Sequence, residues 1–180
     1  MGKKVKLKVG DKAPLIKAES YNAGQVDLDN LIGKQKIILI FSRYFGCPIC
    51  QLDAKTLMEG LPQIESKGAV VLYVTQSSKE KANEFIEKEN MRFPVIPGEL
   101  IPGTKNKYTL YSDYGLGKMT GGAAAKVLGK LRAAKKAGIK HGEYEGYETQ
   151  CPGQFVIDLD GKLIHAKKNW LDLESILAVL

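Results

Sequence analysis

The chain has 180 residues, with 27 Lys or Arg against 20 Asp or Glu and a formal net charge of +7. This length suits one domain over 1–180, expected to bury about 70% of its unfolded surface without staples. Three cysteines make no disulfide framework, and their odd number argues against an oxidising compartment.

The N-terminal stretch from Met1 to Val9 is charged and lacks the apolar run of a signal peptide, and no later stretch approaches a membrane span. A cytoplasmic protein with no membrane partner is expected. Lys4 to Val9 alternates charged and apolar residues, which predicts an edge strand ended by Gly10-Asp11-Lys12-Ala13-Pro14. Gln25 to Leu28 predicts a short strand, and Asp29 to Lys34 a turn.

Ile37 to Phe41 is an apolar, mostly β-branched run of the kind buried on both faces of a parallel sheet. It leads into Cys47-Pro48-Ile49-Cys50. Pro48 suits the first helical position, so Cys47 falls at the N-cap and Cys50 one turn in. A thiol there meets unpaired N–H groups and the positive end of the helix dipole, which favour the thiolate, at a pKa of about 3.5–7.5 rather than about 8.5. Arg43, four residues upstream, adds to this if it turns back toward the sulfur. A zinc site would need a second ligand pair, whereas Cys151, His141 and His165 are scattered singly. A dithiol cycling to a disulfide, with no cofactor and no metal, is the better reading. The alternative is a binding module holding zinc or an iron–sulfur cluster through Cys47, Cys50 and Cys151.

Beyond Cys50 the apolar spacing predicts a helix to Gly68, with a kink or restart at Gly60 and Pro62. Ala69 to Val74 predicts the next buried strand, and Ser77 with Glu80 a capping box for a helix burying Ala82, Phe85 and Ile86. Two successive β-then-α units imply parallel strands with Cys47 at one sheet edge. Residues 97–149 are the least regular. Lys107 to Tyr114 predicts a short helix, and Gly121 to Lys140 an Ala-rich one with Val127, Leu128, Leu131 and Ala134 on one face. Its basic residues, Lys126, Lys130, Arg132, Lys135, Lys136 and Lys140, have neither a nucleic-acid module nor interleaved aromatics beside them. A solvated face is the default, docking of an acidic redox partner the second reading, and no nucleic-acid partner is expected. His141 receives no role. Gln154 to Leu159 and Lys162 to Ala166 predict strands joined by a tight Asp160-Gly161 turn, and Trp170 to Leu180 a closing helix.

These pieces carry a family resemblance. The C-x-x-C at a helix start, with Pro152-Gly153-Gln154-Phe155-Val156-Ile157-Asp158 opening a hairpin, resembles the thioredoxin fold. Val9 to Pro14, Phe41 to Cys50, Leu110 to Leu116 and Gln150 to Ala166 resemble the peroxiredoxin-like branch of the AhpC/TSA (redoxin) superfamily. The resemblance implies an α/β thioredoxin-like fold, a central mixed β-sheet flanked by helices, with an insertion at about 97–149 before the C-terminal hairpin. It also implies a thiol-dependent antioxidant oxidoreductase acting on a peroxide or disulfide. An external thiol reductant such as thioredoxin or glutaredoxin would restore it, and a homodimer is compatible with it. Pro152 would be the cis-proline that faces the dithiol and holds substrate, with Cys151 beside it. The family's P-x-x-x-T/S-x-x-C signature is absent, because counting back from Cys50 puts Cys47 at the Thr and Arg43 at the Pro, and counting from Cys47 gives Tyr44 and Ile40, which fit no better. Whether Cys47 or Cys50 attacks first is therefore open.

Overall fold

A computed structural model describes residues 5–105 and 107–180. Its centre is a five-stranded sheet of order β5-β4-β3-β6-β7. β3 (Lys36–Phe41), β4 (Ala69–Thr75) and β5 (Val95–Pro97) are parallel. β6 (Gly153–Ile157) runs antiparallel to β3, and β7 (Leu163–Lys167) antiparallel to β6. The mixed sheet flanked by helices is the thioredoxin-like architecture.

Side-chain alternation in β3 divides the core between the two faces of this sheet. Ile38 and Ile40 join Val71, Tyr73, Val95 and Val156 under three helices: α2 (Pro48–Ser66), α3 (Lys79–Glu89) and α6 (Leu173–Leu177). Ile37, Leu39 and Phe41 face the other way, into Leu72, Val74, Phe155 and Ile157. That face is covered by the small antiparallel pair β1 (Lys17–Glu19) and β2 (Gln25–Asp27), by α1 (Leu28–Leu31) and by α4 (Thr109–Asp113). Phe41 lies at the C-terminal end of β3 with its ring edge-on to Tyr111 at 5.2 Å. α5 (Gly121–Lys136) packs separately, against the start of α2.

Several local expectations change. Lys4 lies outside the described residues, and Val5 to Val9 form no strand. α2 does not restart: it runs unbroken through Gly60 and Pro62, where Gly60 leaves room for Leu173 of α6, since a Cβ there would come within 2.5 Å of it. The cap of α3 is Ser78, whose hydroxyl accepts from Lys81 N–H, rather than Ser77. Ser77 is one residue too early because its hydroxyl is engaged elsewhere, accepting from Phe45 N–H at 2.9 Å. The β6–β7 connection is a wider loop, closed by Asp158 N–H to Lys162 carbonyl at 2.8 Å, with Gly161 at φ 78°. Trp170 precedes α6 as a buried residue, and that helix covers only Leu173–Leu177.

Only half of the apolar face expected for the Ala-rich helix docks, through Val127 and Ala134. Leu128 and Leu131 are exposed, whereas Ala123 and Ala134 are buried with Val127 and Lys130 between them. Lys130 is thereby removed from the expected solvated face. Its Nζ lies 2.6 Å from Asp53 Oδ1 of α2.

Candidate dithiol site

The site begins where β3 ends. Gln76 N–H and Thr75 Oγ1 both donate to the Arg43 carbonyl, at 2.8 and 2.9 Å, which fixes the turn out of the sheet to the end of β4. Tyr111 Oη donates to the Ser42 carbonyl at 2.6 Å from the opposite face. The chain then enters α2 with Cys47 as N-cap in extended conformation and Pro48 in the first turn. No side chain caps this helix, so its first N–H groups remain available to the sulfur of Cys47.

Arg43 turns back onto that sulfur. Its Nη2 lies 2.7 Å from Cys47 Sγ, and its Nη1 donates to the Glu148 carbonyl. The guanidinium carbon sits 5.0 Å over the Trp170 ring, held in place because Trp170 Nε1 donates to the Ala123 carbonyl. The hydrogen bond from the Cys50 thiol, with Arg43 and the Cys50 backbone N–H, outweighs burial and lowers the Cys47 thiol to about 6. Burial, reinforced by the neighbouring Cys47, pushes the Cys50 thiol well above its ordinary value. The two thiols are therefore poised apart, one as thiolate and one as proton-bearing partner.

Neither sulfur is open to solvent. Both residues are essentially fully buried, at 0% and 1% exposure. Tyr44, Ile49, Ala123, Cys151 and Trp170 pack around them, and residues 140–149 run alongside at Gly46 and Arg43. Gly142 N–H donates to the Gly46 carbonyl at 2.8 Å, and a Cβ on Gly46 would run into the Glu143 carbonyl, so glycine is required for this close approach. His141 Nε2 lies 3.3 Å from Tyr44 Oη.

Cys151 shares one apolar cluster with Cys47, Cys50, Tyr44, Ile49, Ala123 and Trp170. Its thiol is directed at the carbonyls of Pro152 and Lys168, at 3.4 and 3.7 Å. Among the described residues, no group of three or more His, Cys, Asp or Glu could hold a metal ion, which gives the zinc or iron–sulfur alternative no site. The expectation of a cis bond before Pro152 is overturned, since every described peptide bond is trans. Cys151 N–H donates to the Gly117 carbonyl, and the Gln150 side chain donates to the Leu116 and Gly117 carbonyls, at 2.8, 2.9 and 3.0 Å. That anchorage carries the chain into β6 already extended, a conformation the ordinary trans bond accommodates.

The sequence left Trp170, Glu148, Asp53 and Ser77 without a part in this site. A lone Trp in a basic chain was the one available signal, as a partner for a guanidinium.

Comparison with known proteins places this arrangement. The profile of the AhpC/TSA family matches residues 9–166. The chain belongs to that family. Peroxiredoxin Bcp of Escherichia coli K12 is 29% identical over 93 residues, covering 52% of this chain and 59% of the relative. The chain thus matches under two thirds of that relative's length. Among solved structures, a yeast mitochondrial 1-Cys peroxiredoxin superposes with a TM-score of 0.65 at 12% identity, over 97% of this chain and 75% of the other. A putative thiol:disulfide interchange protein DsbE from Chlorobium tepidum gives 0.64 at 19% identity, over 97% and 99%. These likenesses are of fold. Among the described residues no helix is long and apolar enough to cross a membrane.

Proposed function

We propose that this AhpC/TSA family member is a thiol-dependent oxidoreductase in which Cys47 is the attacking thiolate and Cys50 the resolving thiol. The observation that carries the reading is the contact of 2.7 Å between Arg43 Nη2 and Cys47 Sγ at an uncapped helix N-terminus. It gives Cys47 rather than Cys50 the anionic form at neutral pH, and the thiolate is the nucleophile.

With a disulfide, the Cys47 thiolate attacks one sulfur, the substrate S–S bond breaks, and the other sulfur leaves as a thiolate that takes a proton from water. Cys50 then loses its proton and attacks Cys47, forming the Cys47–Cys50 disulfide and releasing the second substrate thiol. With a hydroperoxide, Cys47 takes the terminal oxygen to become a sulfenic acid and the alkoxide is protonated. Cys50 condenses with the sulfenic acid, releasing water. An external dithiol reduces the internal disulfide and is itself oxidised.

Between the two substrates the disulfide is favoured. Counted back from the attacking Cys47, the positions of the family's Thr or Ser and of its Pro are Tyr44 and Ile40, so the small hydroxyl that orients a peroxide is missing. Steady-state turnover of hydrogen peroxide, an alkyl hydroperoxide and a protein disulfide with one common reductant tests the reading. The disulfide is expected to give the highest kcat/KM, and Cys47→Ser to abolish turnover of all three. Equal turnover by Cys47→Ser would reject the assignment.

A further inference from the structure

The segment 140–149, which runs alongside the dithiol at Gly46 and Arg43, is held mainly through its backbone. Gln51 Nε2 donates to the Lys140 carbonyl at 3.3 Å, and the Gly46 carbonyl accepts from Gly142 N–H at 2.8 Å. Further along, Gln76 Oε1 accepts from Tyr147 N–H at 2.8 Å, and Arg43 donates to the Glu148 carbonyl. Four main-chain groups are thus recognised by residues immediately around Cys47 and at the end of β4. Meanwhile His141, Glu143, Tyr144 and Glu148 are exposed. The segment has no regular secondary structure from Lys140 to Glu145 and buries little apolar surface of its own, the signature of a region that opens at low cost.

We propose that residues 140–149 occupy, in cis, a groove built to receive an extended segment of another protein, so that the substrate class of the dithiol is a disulfide carried on an extended polypeptide. This rests on the dithiol reading and supplies its substrate. Main-chain donors and acceptors are common to every polypeptide, and a groove that pairs with them takes protein chains with little regard to side-chain identity. The cis segment leaves part of the groove unused. Gln76 Nε2 and Arg43 Nε are buried donors without a partner, which a fitted guest carbonyl would satisfy. Beside Gly46 and Gln51 lies a cavity of about 290 Å³, walled by Phe45, Phe85, Lys81 and Gly142, with room for a guest side chain. A small peroxide would need none of these features.

The test uses the full chain carrying Gly142→Pro, which deletes the N–H that pairs with Gly46 and adds a Cβ that would lie 3.1 Å from Gly46 Cα. Glu143→Ala/Glu145→Ala is the second variant, removing the Lys81 ion pair and the bond from Ser78 N–H while leaving the buried residues intact. In either variant, alkylation of Cys47 by iodoacetamide at pH 7.5 is expected to speed up at least ten-fold. A synthetic peptide of residues 139–149 added in trans should restore the slow rate saturably and compete with insulin as disulfide substrate. The same peptide N-methylated at Gly142 and Tyr147 should do neither. No acceleration in either variant, no protection by the peptide, or equal protection by the N-methylated peptide overturns the proposal. One equivalent of peroxide is added to the same variants, and the Cys47–Cys50 disulfide is read by mass spectrometry. Its absence would instead reject the dithiol reading itself.

Discussion

Residues 36–97 and residues 97–149 are built by different rules. In the first region the long elements are announced by their own sequence, and only the three-residue β5 is not. The apolar run gives β3, Pro48 sets the start of α2, and Ala69 to Val74 gives β4 almost to the residue. Such strands are buried on both faces, so hydrophobicity and burial coincide. In the second region they part company. Leu128 and Leu131 of α5 are 59% and 39% exposed, while Lys130, which looks like a solvent residue, turns in to Asp53, 77 residues away. A helix docked through two alanines, Val127 and one ion pair carries no broad apolar stripe to betray its buried side.

Deleting that ion pair tests the contrast with the largest expected effect. Lys130→Ala leaves the Asp53 carboxylate buried with, among the described residues, Leu171 N–H as its remaining hydrogen-bond partner, at 3.2 Å. Loss of one member of a buried pair costs about 3 kcal/mol. Burial already holds the Asp53 carboxyl above its ordinary value despite Lys130, and removing the cation raises it further. The raised value means that the ionised form is the costly one, so the deficit should shrink as pH falls through the folded-state value and Asp53 takes up a proton. Urea denaturation at pH 7.5 and pH 5 measures both. A deficit below about 0.5 kcal/mol, the usual size for a surface substitution, would show that α5 docks without the pair.

Arg43→Ala probes the legible region by a smaller amount. An opposite charge at this range shifts a pKa by about 1–3 units, and Cys50 and the helix start remain, so the midpoint of the alkylation profile should rise by about 1–2 units from about 6. The midpoint is the readout, because losing the bond to Glu148 also loosens the neighbouring segment and changes the amplitude. The folded-state value lies below the ordinary thiol value, so the thiolate's contribution to stability is complete above that ordinary value and disappears as pH falls through about 6. In Arg43→Ala that pH-dependent part should be smaller. An unchanged midpoint would assign the lowered value to Cys50 and the helix N-terminus alone.

The same division explains which parts of the site could be read from sequence. Arg43, Cys47 and Cys50 lie within two helical turns of one another, and the C-x-x-C spacing with Pro48 dictates their local geometry. Glu148 and Trp170 reach Arg43 from 105 and more than 120 residues away, and no spacing rule links such positions. Pro152 misled for a related reason. Its offset to the following strand resembles the family pattern, but the conformation before it is set by Leu116 and Gly117, through contacts with Gln150 and Cys151. Ser77 and Ser78 differ by one residue, and the choice of cap between them was made by Phe45 N–H, an atom across the sheet edge.

Cys151 bears on both regions, since it ends the second and packs against the dithiol of the first. Sharing an apolar cluster does not give it the same chemistry as Cys47. Among the described residues no guanidinium acts on it as Arg43 acts on Cys47, and burial raises its thiol above the ordinary value more than Lys168 lowers it. To trap an oxidised Cys47 when Cys50 is replaced by Ser, Cys151 must first ionise. Its thiolate then displaces hydroxide from the Cys47 sulfenic acid, and a Cys47–Cys151 disulfide forms. At pH 7 the Cys50→Ser protein treated with one equivalent of peroxide should therefore hold Cys47 chiefly as sulfenic acid, captured by dimedone, with Cys151 free. As pH rises into and beyond the ordinary thiol range, the Cys47–Cys151 disulfide should replace it, and peptide mapping across that range decides the matter. A yield independent of pH would mean that Cys151 is already a thiolate in the folded protein. No such disulfide at any pH would mean that the third thiol packs beside the dithiol without exchanging with it.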